Sequence, residues 1–351
     1  MMRSAFLTSF LLATAAAEVV TVIDPAGDLP ADKTVVWSPL FQATWDEMNR
    51  KLGGKPMKIE PPNELMAKLD AFEWDAETTL PTGRWKTWAG ESTPEFLATV
   101  HREAAQMTGE AQGPFTLGNP LPGGLACFGL LDREIEFMEP FFKSAKQPLL
   151  FGETKQAVQF FGARGGITAR YRQTTRVLAY HPNDASHALE VSCKDIDDKV
   201  ILYLPPQPQD FQTACKWLRE WRKNWRDDPA SRDQLNDTRL HAEDDIRIPY
   251  VTLDVKNDFV GKLQGRRYYG KPSVPWSIGR AEQKTRFILM EKGAKVRVEV
   301  SLDPFGGTPP KPVPRRFIYD RPFFVFLWRE QAEWPYLGLW IGNAAALEPM
   351  N

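Results

Sequence analysis

The chain has 351 residues, 42% of them hydrophobic, and its 44 basic and 45 acidic side chains give a formal net charge of −1. This length and hydrophobic content allow a sizeable core, in one large domain or two ordinary ones, and exclude a disordered or fibrous chain. The balanced charge creates no long-range field that would favour nucleic acid or an acidic membrane surface. Composition therefore indicates a globular protein and names no partner.

The first seventeen residues have the pattern of a signal peptide. Arg3 is followed by a mostly apolar run from Ala5 to Ala13, and Ala15 to Ala17 form an A-x-A-like cleavage site. A buried N-terminal helix is the alternative, but the run is short, Ala-rich and free of charge after Arg3. It is also shorter than the roughly 20 apolar residues that span a membrane. We predict cleavage near Ala17, before Glu18, and secretion to an extracellular or periplasmic space.

Export would place the three cysteines, Cys127, Cys193 and Cys215, in an oxidising compartment. Three cysteines allow at most one internal disulfide, and their spacing has no zinc or redox signature. The alternative is that most of them are small buried hydrophobic residues.

Helical and extended patterns follow one another without the regular βαβ alternation of a doubly wound sheet. Hydrophobic residues at helical spacing predict helices over Leu40 to Leu52 and Phe211 to Trp225. Predicted strands are Val35 to Trp37, Val200 to Leu204, Thr285 to Met290, Val296 to Val300, Phe323 to Trp328 and Tyr336 to Ile341. The last two are apolar on both faces, which predicts a C-terminal hairpin covered on both sides.

One dense Pro and Gly segment runs from Ser301 to Arg316. It contains Pro304, Pro309, Pro310, Pro312 and Pro314, together with Gly306 and Gly307. Proline has no backbone N–H and a fixed φ, so this stretch cannot be a regular strand or helix. We predict a loop of restricted flexibility.

The order of these segments resembles that of the serpin family. The matching segments are Thr34 to Leu40, Leu125 to Phe151 with a helical part at Asp132 to Met138, Ala188 to Pro205, Ile246 to Leu263, and the hairpin Tyr319 to Phe326 with Tyr336 to Asn343. The hairpin match is the most specific. The resemblance implies an α+β fold with several sheets, formed by a single domain over residues 18–351, in which the loop 301–316 is a shortened reactive loop.

Two departures from the family concern the movement of its main sheet. Between Val158 and Tyr180 only about twenty residues are available for a surface helix, a central strand with a Trp and a further strand pair. We predict that this region is trimmed to a minimum. Phe41 stands where the family places a small hydroxyl residue that gates strand movement.

The resemblance implies a mechanical inhibitor, in which a protease cleaves the loop and the loop's N-terminal half enters the main sheet as a further strand. The 16 residues from Ser301 to Arg316 would be almost consumed by such a strand, at roughly 3.3 Å each. The hinge, taken as Asp303 to Gly307, contains Pro304, which cannot donate to a sheet. We therefore predict that the trap is lost.

Five loop residues are the predicted contacts for a protease: Pro309, Lys311, Pro312, Arg315 and Arg316. Lys311 lies nearest the family's scissile position when counted back from Tyr319, but the bond to Pro312 is a poor protease substrate. The pair Arg315 and Arg316 is an alternative basic site.

No catalytic, cofactor or metal motif is present, and the four histidines are scattered along the chain. A basic run with three tryptophans, Lys216 to Arg226, fits either a polyanion contact or the solvated face of an ordinary helix. We predict a secreted, non-enzymatic binding or structural protein with an unidentified protein partner, no nucleic acid and no membrane span. The alternative is a serine-type endopeptidase inhibitor acting through the loop 301–316, with a protease as its partner.

Overall fold

The computed structural model describes residues 19–110, 114–115, 118–120, 123–144, 147–164, 167–226, 237–270, 274–293 and 314–350. The predicted signal peptide, the predicted strand Val296 to Val300 and most of the predicted loop lie outside the described residues. Within the described ranges, no helix is long and apolar enough to cross a membrane.

The helices in the described ranges are α1 (Leu40–Lys51), α2 (Glu64–Ala71), α3 (Ala76–Thr79), α4 (Pro94–Thr108), α5 (Ala169–Thr174) and α6 (Phe211–Asn224), with single 3-10 turns at Val260–Lys262 and Ala344–Ala346. The strands are β1 (Val19–Val22), β2 (Thr34–Trp37), β3 (Lys58–Glu60), β4 (Trp85–Glu91), β5 (Leu125–Leu131), β6 (Phe142–Lys143), β7 (Leu149–Phe151), β8 (Gln156–Val158), β9 (Phe160–Arg164), β10 (Thr175–His181), β11 (Ser186–Ser192), β12 (Asp198–Leu204), β13 (Asp245–Pro249), β14 (Val251–Asp258), β15 (Arg266–Tyr268), β16 (Pro275–Trp276), β17 (Glu282–Leu289), β18 (Arg316–Ile318), β19 (Phe323–Arg329) and β20 (Leu337–Ile341). The mixture of helices and several sheets is an α+β fold.

A seven-stranded sheet forms the centre of the molecule, in the order β1-β2-β20-β19-β12-β11-β10. β1 is parallel to β2, and all other neighbours are antiparallel. The predicted C-terminal hairpin is confirmed, since Phe324 lies opposite Trp340 and Phe326 opposite Gly338. The sheet is the scaffold on which the smaller sheets are arranged.

Both faces of this sheet are buried, as the apolar sequences of β19 and β20 predict. Alternate residues such as Val325 and Leu339 enter one hydrophobic cluster, while Phe324 and Trp340 enter another. Helix α6 covers the second face with Phe211, Ala214, Cys215 and Leu218. Both long predicted helices are confirmed, with bounds that differ by one residue at the C-terminal end.

Five smaller sheets surround the central one. They are the four-stranded sheet β18-β13-β9-β6, the three-stranded sheet β16-β15-β3, and the two-stranded ladders β4-β5, β14-β17 and β7-β8. Helix α1 packs on the β4-β5 ladder, where a Cβ on Gly129 would lie 2.1 Å from Thr44 Oγ1. The close approach of helix and ladder therefore depends on glycine.

The helix predicted for Asp132 to Met138 is wrong. This segment is extended, with buried side chains at alternate positions, Ile135 and Phe137. Isolated bridges join Glu136 to Gly293 and Phe137 to Cys193. Tertiary pairing with these two segments fixes a period of two, where a helix would require a period near 3.6.

The three cysteines are all free in the structure, with Cys193 and Cys215 buried and Cys127 half-buried. Burial raises the pKa of the Cys127 and Cys193 thiols to about 12. These thiols are therefore protonated at neutral pH and serve as small apolar side chains.

Candidate functional site

A cleft separates two of the ladders. Within the described residues, β5 pairs only with β4, and β17 pairs only with β14. The chain leaving β5 and the end of β17 line a cavity of about 260 Å³, whose walls include Arg133, Ile135, Phe287 and Leu289, with Leu327 of the central sheet. Strand edges facing a cavity can accept the backbone of a further strand.

The chain reverses direction directly after β17. Met290 and Gly293 exchange both backbone hydrogen bonds, at 3.0 and 3.1 Å, so Glu291 and Lys292 form a two-residue hairpin turn. Gly293 has φ +98°, and a Cβ there would lie 2.6 Å from the carbonyl oxygen of Ile135. Only glycine fits this position. The sequence therefore fixes the turn at Met290 to Gly293.

The turn is held by the extended segment that follows β5. The amide of Phe137 donates to the Lys292 carbonyl at 2.9 Å, and the amide of Phe141 donates to the Glu291 carbonyl at 2.7 Å. The buried Glu291 side chain accepts a hydrogen bond of 3.0 Å from the Tyr250 hydroxyl. Burial, reinforced by the nearby Glu291 carboxylate, raises the pKa of Tyr250. Hydrogen bonds from the backbone and from a side chain thus hold the turn at the start of the loop region.

The turn lies at the start of a long connection. β17 ends at Leu289 and β18 begins at Arg316, so 26 residues (290 to 315) connect them. The count of 16 loop residues starts after the predicted strand Val296 to Val300, which lies outside the described residues, and that count stays a prediction.

Three of the five predicted contact residues, Pro309, Lys311 and Pro312, lie outside the described residues. Arg315 is fully buried, and its guanidinium pairs with Asp244 at 2.8 Å. The structure therefore places this side chain in the interior, and the predicted protease contact through Arg315 stays a prediction. Arg316 is exposed, and its backbone amide donates to the Tyr180 hydroxyl at 3.2 Å.

Arg315 anchors the end of the loop region. Its guanidinium donates to the carbonyls of Asp237 and Arg239 as well as to Asp244. The Asp244 carboxylate also accepts a hydrogen bond of 2.7 Å from the backbone amide of His241. The same carboxylate therefore holds both Arg315 and the segment from His241 to Asp244. The parallel pairing of β18 with β13 sets Arg316 opposite Asp245, which brings the preceding residues, Arg315 and Asp244, together. The sequence analysis did not predict this anchor. The pairing of β18 with β13 is the feature that would have indicated it.

The remaining candidate features have structural roles. Phe41, at the predicted gate position, packs edge-on against Phe259 with ring centroids 5.2 Å apart. In the basic run of α6, Arg219 pairs with Glu333 at 2.5 Å and Arg222 with the buried Glu190 at 2.6 Å. These pairs favour the interpretation as the charged face of an ordinary helix.

No family model matches the chain, and no curated protein sequence matches it. Several solved structures are similar to the chain. One is a thyroxine-binding globulin complex with thyroxine, which matches with 11% identity and a TM-score of 0.52 over 90% of this chain and 93% of that chain. Human glycosylated kallistatin matches with 10% identity, 90% and 92% coverage and a TM-score of 0.51. A serpin from the trematode Schistosoma haematobium matches with 12% identity, 91% and 94% coverage and a TM-score of 0.51.

The chain has a serpin-like fold. Identities of 10 to 12% over nine-tenths of each chain show a shared architecture and nothing about a shared activity. The serpin-like assignment made from the order of segments and from the C-terminal hairpin is confirmed.

Proposed function

We propose that this serpin-like protein is a secreted, non-enzymatic binding or structural protein that cannot run the inhibitory trap. The observation that supports it is the two-residue turn at Met290 to Gly293, which directly follows β17 and holds the start of the loop region in place.

The Pro-rich loop carries the proposed binding surface for a protein partner. Its predicted contacts Pro309, Lys311 and Pro312 lie outside the described residues, and Arg316, which follows them in the chain, is exposed. Proline restricts the backbone and so lowers the entropic cost of binding.

Export supports an extracellular partner. Cleavage of the predicted signal peptide before Glu18 would place the mature N-terminus one residue before β1, which starts at Val19. The mature chain would then begin at the edge of the central sheet, where β1 pairs with β2. N-terminal sequencing of the exported protein tests this part of the proposal.

A serine-type endopeptidase inhibitor is the second candidate, and the cleft favours it. In that case a protease would cleave the loop, and the loop's N-terminal half would then enter the sheet as a further strand. The two candidates differ in whether cleavage of the loop stabilises the protein.

Thermal unfolding before and after a nick in residues 301–313 separates the candidates. The proposal expects no gain in Tm on nicking and no SDS-stable complex with trypsin-like or subtilisin-like proteases. A large gain in Tm, or such a complex, would establish the inhibitor.

A further inference from the structure

One buried histidine joins two parts of the chain that are far apart in sequence. His187, near the start of β11, is 1% exposed. Its ring packs edge-on against Tyr319, with ring centroids 4.7 Å apart, and against Phe317 of β18, at 5.5 Å. Because β18 directly follows the loop region, this contact helps to attach the end of the loop region to the central sheet.

The hydrogen bonding of His187 fixes which ring nitrogen carries the proton. Nδ1 lies 3.0 Å from the Ala185 carbonyl oxygen. A carbonyl oxygen can only accept, so Nδ1 donates and Nε2 is the unprotonated nitrogen. Nε2 has no hydrogen-bond partner among the described residues. A proton added at Nε2 would therefore find no acceptor in the contact.

The turn between β10 and β11 brings a cation to the ring. The Arg321 guanidinium donates to the Asp184 carbonyl at 2.8 Å, and its charge disfavours the imidazolium form of His187. The Asp184 carboxylate itself accepts the amide of Ser186, also at 2.8 Å. Burial, together with Arg321, lowers the pKa of His187 to about 3. The ring is therefore neutral in the folded protein at neutral and mildly acidic pH.

Three further titratable groups around this contact are bonded to other partners. They are Tyr180 on β10, which accepts the Arg316 amide, Tyr319, which donates to the Leu202 carbonyl of β12, and Arg315, which pairs with Asp244. Burial raises the pKa of Tyr319 well above its ordinary value, so its hydroxyl stays neutral. None of these three groups supplies a negative charge that would stabilise an imidazolium.

We propose that proton uptake by His187 opens its contact with Phe317 and Tyr319 and so releases the end of the loop region under acidic conditions. The proton comes from solvent and binds Nε2, which places an imidazolium beside Arg321 without an acceptor. Opening lets water solvate this charge. Because the open state binds a proton that the closed state does not, acidification shifts the equilibrium towards opening. This inference does not depend on what the loop region binds.

The pH range of the opening follows from the two states of the ring. The pKa of His187 is about 6.5 when the ring is exposed and about 3 in the closed contact. Above about pH 6.5 neither state binds the proton, and below about pH 3 both states do. Between these values, the ratio of open to closed molecules should rise about tenfold for each unit fall in pH.

Hydrogen exchange measures this opening. The Tyr319 amide donates to the Arg247 carbonyl at 3.0 Å, so its protection factor reports on the attachment of the chain after the loop region. In the wild-type protein this factor should fall roughly fifty-fold between pH 6.5 and 4.5. His187→Phe should remove most of this fall, while the matched control His181→Phe, which replaces an exposed histidine on the same hairpin, should keep it.

The amide of Phe137 is an internal control. It donates to the Lys292 carbonyl, and opening of the His187 contact does not break that bond. Its protection should therefore depend on pH in the same way in the wild type and in His187→Phe. If the variant changed protection equally at Tyr319 and Phe137, His187 would act on the whole molecule and the local opening would be excluded. An unchanged pH dependence at Tyr319 in His187→Phe would also overturn the proposal.

A second measurement does not depend on any variant folding. In the wild-type protein, ¹⁵N NMR of the imidazole rings should show the proton of His187 on Nδ1 at pH 7 and no titration of this ring down to pH 4.5. A proton on Nε2 at pH 7, or a titration midpoint near pH 6.5 in the folded protein, would overturn the proposal.

Discussion

The central seven-stranded sheet differs from the two ladders beside the cleft, β4-β5 and β14-β17, in how its strands are paired and covered. The central sheet has five inner strands, β2, β20, β19, β12 and β11. Each of them has a partner on both edges and core on both faces. In the described part of the chain, β5 and β17 each have one strand partner. One region is a closed frame, whereas in the other the described residues pair with β5 and β17 along one edge only.

The sequences of the strands explain this difference. β19 and β20 are apolar at nearly every position, so they can only lie between two covered faces. β17 alternates buried and exposed residues, and its outer face carries Lys284 and Arg286. Ionic contacts to the neighbouring β14 hold that outer face. Substitutions in the two regions should therefore lower the free energy of unfolding by amounts that differ several-fold.

The largest expected effect is in the central sheet. Phe326 is fully buried, stacks on Phe324 at 5.4 Å and packs against Phe211 at 6.1 Å. Phe326→Ala should lower the free energy of unfolding by about 4 kcal/mol, through lost burial and an unfilled cavity. Urea denaturation measures this loss. Ile288→Ala on the outer face of β17, where the side chain is 47% exposed, is the matched control and should cost about 0.5 kcal/mol or less.

Similar losses for the two variants would mean that Ile288 is covered by another part of the chain. That result would remove the contrast between the closed frame and the exposed ladder.

The sequence predicted the closed frame well and the cleft poorly, for a physical reason. Continuous apolar runs such as Phe323 to Trp328 allow one solution, a strand covered on both sides, and this was confirmed. The segment Asp132 to Met138 is different, because its conformation depends on pairing with Cys193 and Gly293, far away in the chain. Local pattern carries little information about such pairings.

The charged groups show the same limit. Arg315 was predicted as part of an alternative basic site in the loop 301–316, and in the structure parallel strand pairing brings it to Asp244 and buries it. Arg267 drew no prediction, since nothing in the sequence around it indicates that β15 turns this side chain towards α1. Burial of single charges is decided by tertiary contacts and not by local composition.

An intermediate effect is expected at the turn that joins the two ladders. Gly293→Ala would place a Cβ within 2.7 Å of the backbone at Glu136 and Phe137, at φ +98°. We expect a loss of about 3 kcal/mol from left-handed strain and overpacking. Hydrogen exchange provides a local readout, because the amides of Phe137 and Phe141 bond to this turn and should lose protection first.

Gly109→Ala, at the end of α4, is the control for this variant. It has a similar left-handed φ of +72° but no atom within 4 Å of the added Cβ, so it should cost about 1 kcal/mol. If both variants lose the same free energy, the close contact with residues 135–137 does not constrain the turn.

The smallest expected effect is on the outer face of the β14-β17 ladder. Asp254 pairs with Arg286 at 3.0 Å and with Lys284 at 3.7 Å, and all three side chains are more than two-fifths exposed. Asp254→Asn should therefore cost about 0.5 kcal/mol at low salt and almost nothing in 1 M salt, where the Debye length falls to about 3 Å. A double-mutant cycle with Arg286→Gln, followed by urea denaturation at both salt concentrations, isolates the pair. A coupling energy that survives 1 M salt would show that this face is shielded from solvent, and the ladder would then resemble the closed frame rather than an edge open to a further strand.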